Sequence, residues 1–316
     1  MSDVRILFMG TPDFAAASLK ALLAAKQAVI GVVTQPDRPV GRKQVLTPSP
    51  VKKLALEHGL PVLQPEKIKE RAALDEVLAL KPELIVTAAY GQILPAELLA
   101  APRWGAINVH ASLLPKYRGG APIHRAIMAG ERETGVTIMY MVEELDAGDM
   151  LSKVVVPIEE RDTVGSLHDK LAAAGAALLV DTIPRLLRGE IEPEPQNHQA
   201  ATFAPTIKRS DEWIDWSKPA EAIYNQVRGL HPWPVACTRF QGKLWKVWWV
   251  EKVSTEGTSE QPGTVLERVS DGLVIACGTG SVKLVEIQPE GKRRMSMREY
   301  LQGAGPQLQP GCTLGD

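Results

Sequence analysis

The sequence predicts an α/β domain with a mostly parallel sheet, followed by a second domain that forms a small β-barrel. Its 316 residues suit two domains, since a domain commonly holds about 100–200 residues. Over the first two-thirds, apolar runs alternate with helical patterns, which implies crossover connections and parallel strands. Beyond about residue 208, short strand-like runs separated by turn residues dominate, as is typical of a barrel.

The first strand and helix set the pattern of the N-terminal domain. Val4–Met9 is predicted to form a strand. Thr11 is predicted to cap the following helix, with Pro12 at its first position, because these residue types favour those places. Further strands are predicted at 29–33, 84–87, 106–109, 135–142 and 151–157, and helices at 67–80 and 121–129. In such a sheet, ligands bind beyond the carboxyl ends of the strands.

The composition changes after residue 190. A run rich in Pro and Glu at 192–197 is typical of a linker, so we expect domains at 1–190 and 208–316, joined by 191–207. Six of the seven tryptophans lie beyond residue 208. After a helix at 218–229, strands are predicted at 243–250, 263–267, 273–276 and 282–287.

The overall composition excludes several classes of protein. The net charge is −1 and 45% of the residues are hydrophobic, which excludes a strongly basic coat protein and a mainly disordered chain. Three cysteines, Cys237, Cys277 and Cys312, lack the CxxC spacing of a zinc site or a disulfide framework. The longest apolar run, residues 171–180, is about half a membrane span. We expect a cytoplasmic protein with no membrane contact and no metal, and take it to be a monomer.

Familiar cofactor and hydrolase motifs are missing from the sequence. Gly10 stands alone after the first strand, so the GxGxxG fingerprint of dinucleotide binding is missing. The P-loop, HExxH and GxSxG patterns are missing too, which disfavours Ser112 as a nucleophile.

Asn108 and His110 are the first candidates for chemistry. They lie two residues apart at the end of a predicted strand, so both side chains face the same way. An amide that stabilises an oxyanion and an imidazole that titrates near neutral pH suit acyl transfer. Asp146, in an acidic turn with Gly148, either serves that turn alone or orients His110. A structural role is the commoner one for a single histidine.

A long segment at 34–48 carries three cations, Arg38, Arg42 and Lys43. Its Pro and Gly content predicts a loop without regular structure. Loops of this length are usually disordered or functional, so it is either a solvated excursion or a grip for an anionic partner.

These residues, with 112–115 and 118–122, resemble the folate-dependent formyltransferase family. The stretches 8–14, 34–39 with 41–42, and 228–234 resemble its tRNA-acting members, and the similarity runs almost from end to end. His231 stands where that branch more often has Asn. The resemblance implies a Rossmann-like, mostly parallel catalytic domain and an OB-like barrel. It also implies formyl transfer from 10-formyltetrahydrofolate to the α-amine of methionine on initiator tRNA.

The resemblance also implies roles for particular residues. Asn108 and protonated His110 would stabilise the formyl oxygen, with Asp146 holding His110. The folate would lie near 86–93, 143–146 and the segment Ser112, Leu113, Leu114 and Pro115. The cationic loop would contact the tRNA acceptor stem. The barrel cations Lys243, Lys246, Lys292, Arg293 and Arg294 are further tRNA candidates, whereas Trp245, Trp248 and Trp249 are expected to pack more than to stack on bases.

Three other functions remain open on the sequence alone. The first is a formyltransferase that acts on a small amine, such as a sugar-nucleotide or glycinamide ribonucleotide. The second is a hydrolase that releases formate from the same folate. The third is a tRNA-binding factor without catalytic activity.

Overall fold

The N-terminal part of the chain alternates strands and helices around a seven-stranded sheet.

The computed structural model describes residues 4–41, 43–257, 259–303 and 308–315. The strands are β1 Ile6–Gly10, β2 Val29–Val33, β3 Arg38–Val40, β4 Val45–Thr47, β5 Val62–Leu63, β6 Leu84–Ala88, β7 Ala106–His110, β8 Glu133–Tyr140, β9 Met150–Pro157, β10 Ala236–Phe240, β11 Lys243–Ser254, β12 Val265–Val269, β13 Gly272–Ala276, β14 Ser281–Pro289 and β15 Met295–Ser296. The helices are α1 Asp13–Ala24, α2 Pro50–Glu57, α3 Arg71–Ala79, α4 Ala96–Ala100, α5 Pro122–Met128, α6 Val164–Leu187, α7 Ala220–Gly229 and α8 Met297–Gly303.

The sheet is mostly parallel, as predicted. Its strands lie in the order β5-β2-β1-β6-β7-β8-β9; those from β5 to β7 are parallel and the last two are antiparallel. Strands β1 and β6 are buried at every position, since helices cover both faces of a central parallel strand. The chain runs outward from β1 to β5 and then returns to β6 and β7. Such a reversal leaves a ligand-binding crevice beyond the strand ends.

The prediction that Thr11 caps the first helix is wrong. Helix α1 begins at Asp13, and Pro12 occupies the cap position without a side-chain capping bond. The Thr11 hydroxyl instead donates to the carbonyl oxygen of Tyr90 at 3.1 Å. A tertiary acceptor on the neighbouring segment therefore takes the hydroxyl that the sequence pattern assigned to the helix.

Packing explains the single glycine at the end of β1. A Cβ atom on Gly10 would lie 2.6 Å from Cβ of Ala15 and 2.8 Å from the carbonyl oxygen of Ala88. Gly10 thus permits the close approach of β1, β6 and α1.

The segment at 34–48 holds a β-hairpin, so the prediction of a loop without regular structure is wrong. Strands β3 and β4 pair antiparallel, with Arg38 opposite Thr47 and Val40 opposite Val45. Both strands of an isolated hairpin are edges, where Pro39 is tolerated without its N–H. Gly41 turns the chain with a φ of +72°.

An antiparallel sheet dominates the C-terminal part, as predicted. Its order is β10-β11-β14-β13-β12, with β15 paired to β14. Its core contains Trp245, which is 2% exposed, with Leu273, Ile275 and Leu284. Trp248 and Trp249 are half-buried, so the expectation that these tryptophans pack is met most fully at Trp245.

The three cysteines, all in the described part of the chain, form no disulfide bond. Cys237 and Cys277 are buried and Cys312 is half-buried. Burial raises the pKa of the Cys277 thiol to about 11, so this thiol stays protonated at neutral pH.

The chain divides into two compact units. The first comprises the chain up to Pro122 with Glu133–Pro157 and His168–Ala204, and the second comprises Ile123–Arg132, Ile158–Leu167 and the chain from Pro205. The boundary between the two units after Ala204 falls within the expected linker at 191–207. None of the helices in the described part of the chain combines the length and apolar character that a membrane crossing requires.

Candidate active site

Asn108 and His110 lie at the carboxyl end of β7, beside the end of β6. Asn108 is half-buried, and His110 is 6% exposed. Their spacing along the strand directs both side chains to the same side of the sheet. Thr87 on β6 is the register partner of Asn108, so the neighbouring strand contributes to the same site.

Thr87 fixes the orientation of the Asn108 amide. The Thr87 hydroxyl lies 2.7 Å from Oδ1 of Asn108 and 3.1 Å from the carbonyl oxygen of Ile107, and its one hydrogen goes to the nearer oxygen, Oδ1. Because Oδ1 is the acceptor in this bond, the amide nitrogen Nδ2 is the end left to donate into the site. The site therefore holds an amide donor of fixed direction, as an oxyanion requires.

The two ring nitrogens of His110 have different partners. Nε2 lies 3.0 Å from the carbonyl oxygen of Tyr117. A carbonyl oxygen can only accept, so Nε2 carries a hydrogen in either charge state of the ring. Nδ1 lies 3.6 Å from Oδ2 of Asp146. Nδ1 is therefore the ring nitrogen that faces the carboxylate of Asp146.

Asp146 sits in a turn with a left-handed backbone. Its φ is +48°, a backbone conformation that residues other than Gly adopt rarely. The backbone N–H of Gly119 donates to Oδ2 at 2.8 Å, and the side chain is 15% exposed. The structure thus brings Asp146 to His110, although 36 residues of sequence separate the two.

The segment predicted to lie against folate follows directly after β7. Ser112 is fully buried, and its hydroxyl donates to the carbonyl oxygen of Lys116 at 2.6 Å. Leu114 is 3% exposed and packs with Met139 and Met150. Leu113 and Pro115 are partly exposed. The side chains of Ser112 and Leu114 are therefore enclosed, and those of Leu113 and Pro115 are the ones in this segment that are partly open to solvent.

Two family descriptions match the chain. "Formyl transferase" matches residues 4–183, and "Formyl transferase, C-terminal domain" matches residues 206–305. The chain belongs to the formyl transferase family. Two curated relatives are named methionyl-tRNA formyltransferase. That of Geobacillus sp. (strain WCH70) is 58% identical over 99% of this chain and 98% of its own. That of Bacillus subtilis (strain 168) is 56% identical over 98% of each.

Solved structures share the fold of this formyl transferase. An N-formyltransferase from Helicobacter canadensis, in complex with folinic acid and dTDP-3-aminofucose, matches with a TM-score of 0.67 and 20% identity over 90% of this chain and 99% of that one. HypX from Aquifex aeolicus, in complex with tetrahydrofolic acid, matches with a TM-score of 0.62 and 18% identity over 95% of this chain and 47% of that one. Among the residues described here, no group of three or more His, Cys, Asp or Glu side chains is placed to hold a metal.

Two of the three predicted cations of the 34–48 segment, Arg38 and Lys43, lie on the hairpin. Arg38 pairs with Glu66 at 2.8 Å, and both side chains are at least 60% exposed. Lys43 is exposed in the turn, and Arg42 lies outside the described residues. At the base of the hairpin, Lys52 pairs with Asp37 at 2.7 Å, and this hydrogen bond lowers the pKa of the Asp37 carboxyl.

The predicted cations of the C-terminal unit lie on β11 and in the turn between β14 and β15. Lys246 is the register partner of Gln288, whose Oε1 accepts from Nε1 of Trp248 at 3.3 Å. The guanidinium of Arg294 lies 4.2 Å from the centre of the Trp248 ring. We call Lys246, Trp248, Gln288 and Arg294 the Trp248 patch. It combines cations with an aromatic face, which suits nucleic acid.

The other C-terminal candidates have different surroundings. Lys243 begins β11 and is exposed. Lys292 lies 5.7 Å from the ring of Tyr300. Arg293 is paired with Glu299, and Arg294 forms two 2.6 Å bonds with Glu286. These ion pairs partly neutralise the arginines.

Sequence reasoning assigned no individual role to Thr87, Tyr117 or Gly119, although Thr87 lies in the predicted folate segment 86–93 and Gly119 in the stretch 118–122. Thr87 sits inside an apolar strand, where threonine is common and unremarkable in the sequence. Tyr117 and Gly119 act through backbone atoms, which carry no residue-type signal. The left-handed φ of Tyr117, +60°, marks the turn that directs these atoms to His110 and Asp146.

Proposed function

We propose that this formyl transferase moves a formyl group from 10-formyltetrahydrofolate to the α-amino group of methionine on initiator methionyl-tRNA. The observation that carries this proposal is the 56–58% identity to methionyl-tRNA formyltransferases over nearly the whole chain. The assembled group of Asn108, His110 and Asp146 supports it. We also propose that the enzyme acts as a monomer in the cytoplasm, where its tRNA substrate is used.

Formyl transfer by this site begins with attack of the amine on the formyl carbon. Negative charge then develops on the formyl oxygen. Nδ2 of Asn108 is oriented to donate to that oxygen, and Nδ1–H of protonated His110 can do so from the same side. Such prearranged donors are worth most where charge appears only in the transition state.

One proton must move from the attacking amine to N10 of the folate. The amine nitrogen loses it as its bond to the formyl carbon forms, and N10 gains one as its own bond to that carbon breaks. The 3.6 Å separation of Nδ1 of His110 from Oδ2 of Asp146 puts a base and an acid side by side for this relay. No enzyme nucleophile is required, which agrees with the internal hydrogen bond of Ser112.

We propose that tRNA contacts the cationic hairpin and the Trp248 patch. Three large apolar side chains on the hairpin, Val40, Val45 and Leu46, are 57–65% exposed. Exposed apolar groups beside cations are typical of a binding surface. Arginine and lysine suit the phosphates of an acceptor stem.

The test is formylation of methionyl-tRNA in the presence of 10-formyltetrahydrofolate, with Asp146→Asn as the control. Formyl-methionyl-tRNA made by the native enzyme, and made much more slowly but still measurably by the folded control, supports the proposal. Formate release without an amine would instead favour a hydrolase, and formylation of a small amine alone would favour a small-molecule formyltransferase. Binding of tRNA with no turnover would favour a non-catalytic factor.

A further inference from the structure

Gln196 is a buried residue within an exposed polar run. It is 4% exposed, whereas residues 192–195 and 197–200 are all exposed. Its side-chain oxygen accepts from Nε and Nη2 of Arg118 at 3.1 and 2.8 Å. Its side-chain nitrogen donates to the carbonyl oxygens of Asp146 and Gly148 at 2.9 and 2.7 Å. Both hydrogens of the amide nitrogen are thus used, and both go to the turn that carries Asp146.

Arg118 is itself buried and is fixed by hydrogen bonds of its backbone. Its side chain is 2% exposed, with Nη1 lying 3.7 Å from Oε1 of Glu144. Its backbone N–H donates to the carbonyl oxygen of Thr202 at 2.9 Å, and its carbonyl oxygen accepts from the N–H of Ala204 at 2.7 Å. A buried guanidinium is tolerated when its hydrogen-bonding groups are satisfied. Arg118 therefore gives Gln196 a fixed support.

The turn that Gln196 contacts has little support of its own. Glu143, Glu144 and Leu145 are exposed and lie outside any helix or strand. Asp146 has the left-handed φ described above. A Cβ atom on Gly148 would lie 2.0 Å from the carbonyl oxygen of Tyr140, so the turn passes very close to the end of β8. The two carbonyls that Gln196 binds flank this strained part of the turn.

We propose that Gln196, supported by Arg118, is a positioning residue that holds the Asp146 carboxylate against His110. The inference rests on the proposed formyl transfer. Gly119, the neighbour of Arg118, donates directly to Asp146, and Tyr117 accepts from His110. The three consecutive residues 117–119 therefore contact both His110 and Asp146. Gln196 links Arg118 of this segment to the backbone of the Asp146 turn.

The first test compares Gln196→Ala with Asn197→Ala. Asn197 is the exposed neighbour, and among the described residues its side chain accepts only from the local N–H of Gln199. Gln196→Ala should lower kcat about 10-fold, with KM for both substrates changed by less than about 2-fold, because it disturbs a group used in the transition state. Asn197→Ala should leave both constants at native values.

A double-mutant cycle separates positioning from general support of the fold. On an Asp146→Asn background, Gln196→Ala should lower kcat by less than about 2-fold, since residues that act together are not additive. An equal loss on both backgrounds would overturn the proposal. If Gln196→Ala does not fold, Gln196→Glu carries the same test. It keeps the volume and the acceptor for Arg118 but places an oxygen against two carbonyls.

Hydrogen exchange of the amides at 142–149 tests the contact without any assay of activity. Gln196→Ala should speed exchange there, and Asn197→Ala should not. Unchanged exchange in Gln196→Ala would overturn the proposal. If the native protein fails to formylate methionyl-tRNA, the proposed function falls, while faster exchange in Gln196→Ala still supports the hold of Gln196 on the turn.

Discussion

Among single residues, Asn108 shows how a neighbour decides what a side chain can do. Its amide has one accepting end and one donating end, and Thr87 occupies the accepting end. A free amide could present either end to a ligand. The hydrogen bond from β6 removes that choice before substrate arrives.

Replacement of Asn108 by Ala should lower kcat by ~10²–10³, which is the usual loss for one oxyanion donor. The expected cause is the missing Nδ2–H at the formyl oxygen. Steady-state kinetics with both substrates measures the effect, and circular dichroism confirms folding. Turnover within about 2-fold of native would refute the assigned role.

Thr87→Val should have a smaller effect of the same kind. Valine keeps the shape of the side chain but cannot hold Oδ1 of Asn108, so the amide can turn. We expect kcat to fall about 5–10-fold, consistent with the loss of one hydrogen bond. The Asn108→Ala,Thr87→Val double variant should resemble Asn108→Ala alone. Full additivity would show that Thr87 acts elsewhere.

Among the elements, the hairpin of β3 and β4 combines a firm base with an exposed tip. Lys52 and Gln64 both contact Asp37 at the base, at 2.7 and 2.8 Å. The tip carries Lys43, and the exposed apolar side chains of Val40 and Val45 lie beside it. An anchored hairpin can present these residues to a partner with less loss of conformational entropy than a disordered loop.

Arg42→Ala should raise KM for methionyl-tRNA about 5-fold or more and leave KM for the folate unchanged, because one phosphate or base contact is lost. Lys20→Ala, which removes an exposed cation from α1, serves as the matched control. Equal effects of the two variants would indicate a general charge effect. Unchanged kinetics in Arg42→Ala would remove the hairpin from the proposed tRNA surface.

Strand β11 offers a sharper test of the second tRNA surface. Lys243 and Lys246 are three residues apart, so they point to opposite faces of the strand, and only Lys246 belongs to the Trp248 patch. Lys246→Ala should reduce the slope of log K against log salt for tRNA by about 0.7–0.9, the value of one phosphate contact. Lys243→Ala should leave the slope unchanged. The reverse result would move the binding surface to the other face.

At the scale of the whole molecule, the sequence predicted the mostly parallel sheet, the strand-rich C-terminal domain and the place of Asn108 and His110 at a strand end, because periodicity is a local property. The approach of Asp146 to His110 depends on a turn between β8 and β9, and the sequence left it open. Thr87 and Gln196 were assigned no individual role because hydroxyl and amide side chains are ordinary in strands and polar runs. Their roles come from contacts across 21 and 50 residues.

The position of Gln196 has a consequence for recombining members of this family. The polar, proline-containing run at 192–195 is an obvious place to join two genes of the family, since such runs usually tolerate junctions. In a chimera joined there, one parent supplies the turn that carries Asp146, and the other parent supplies residue 196, which contacts that turn. A junction after Ala204 keeps the whole supporting segment with the parent whose active site it serves. Chimeras joined at these two points should therefore differ in turnover even when both fold.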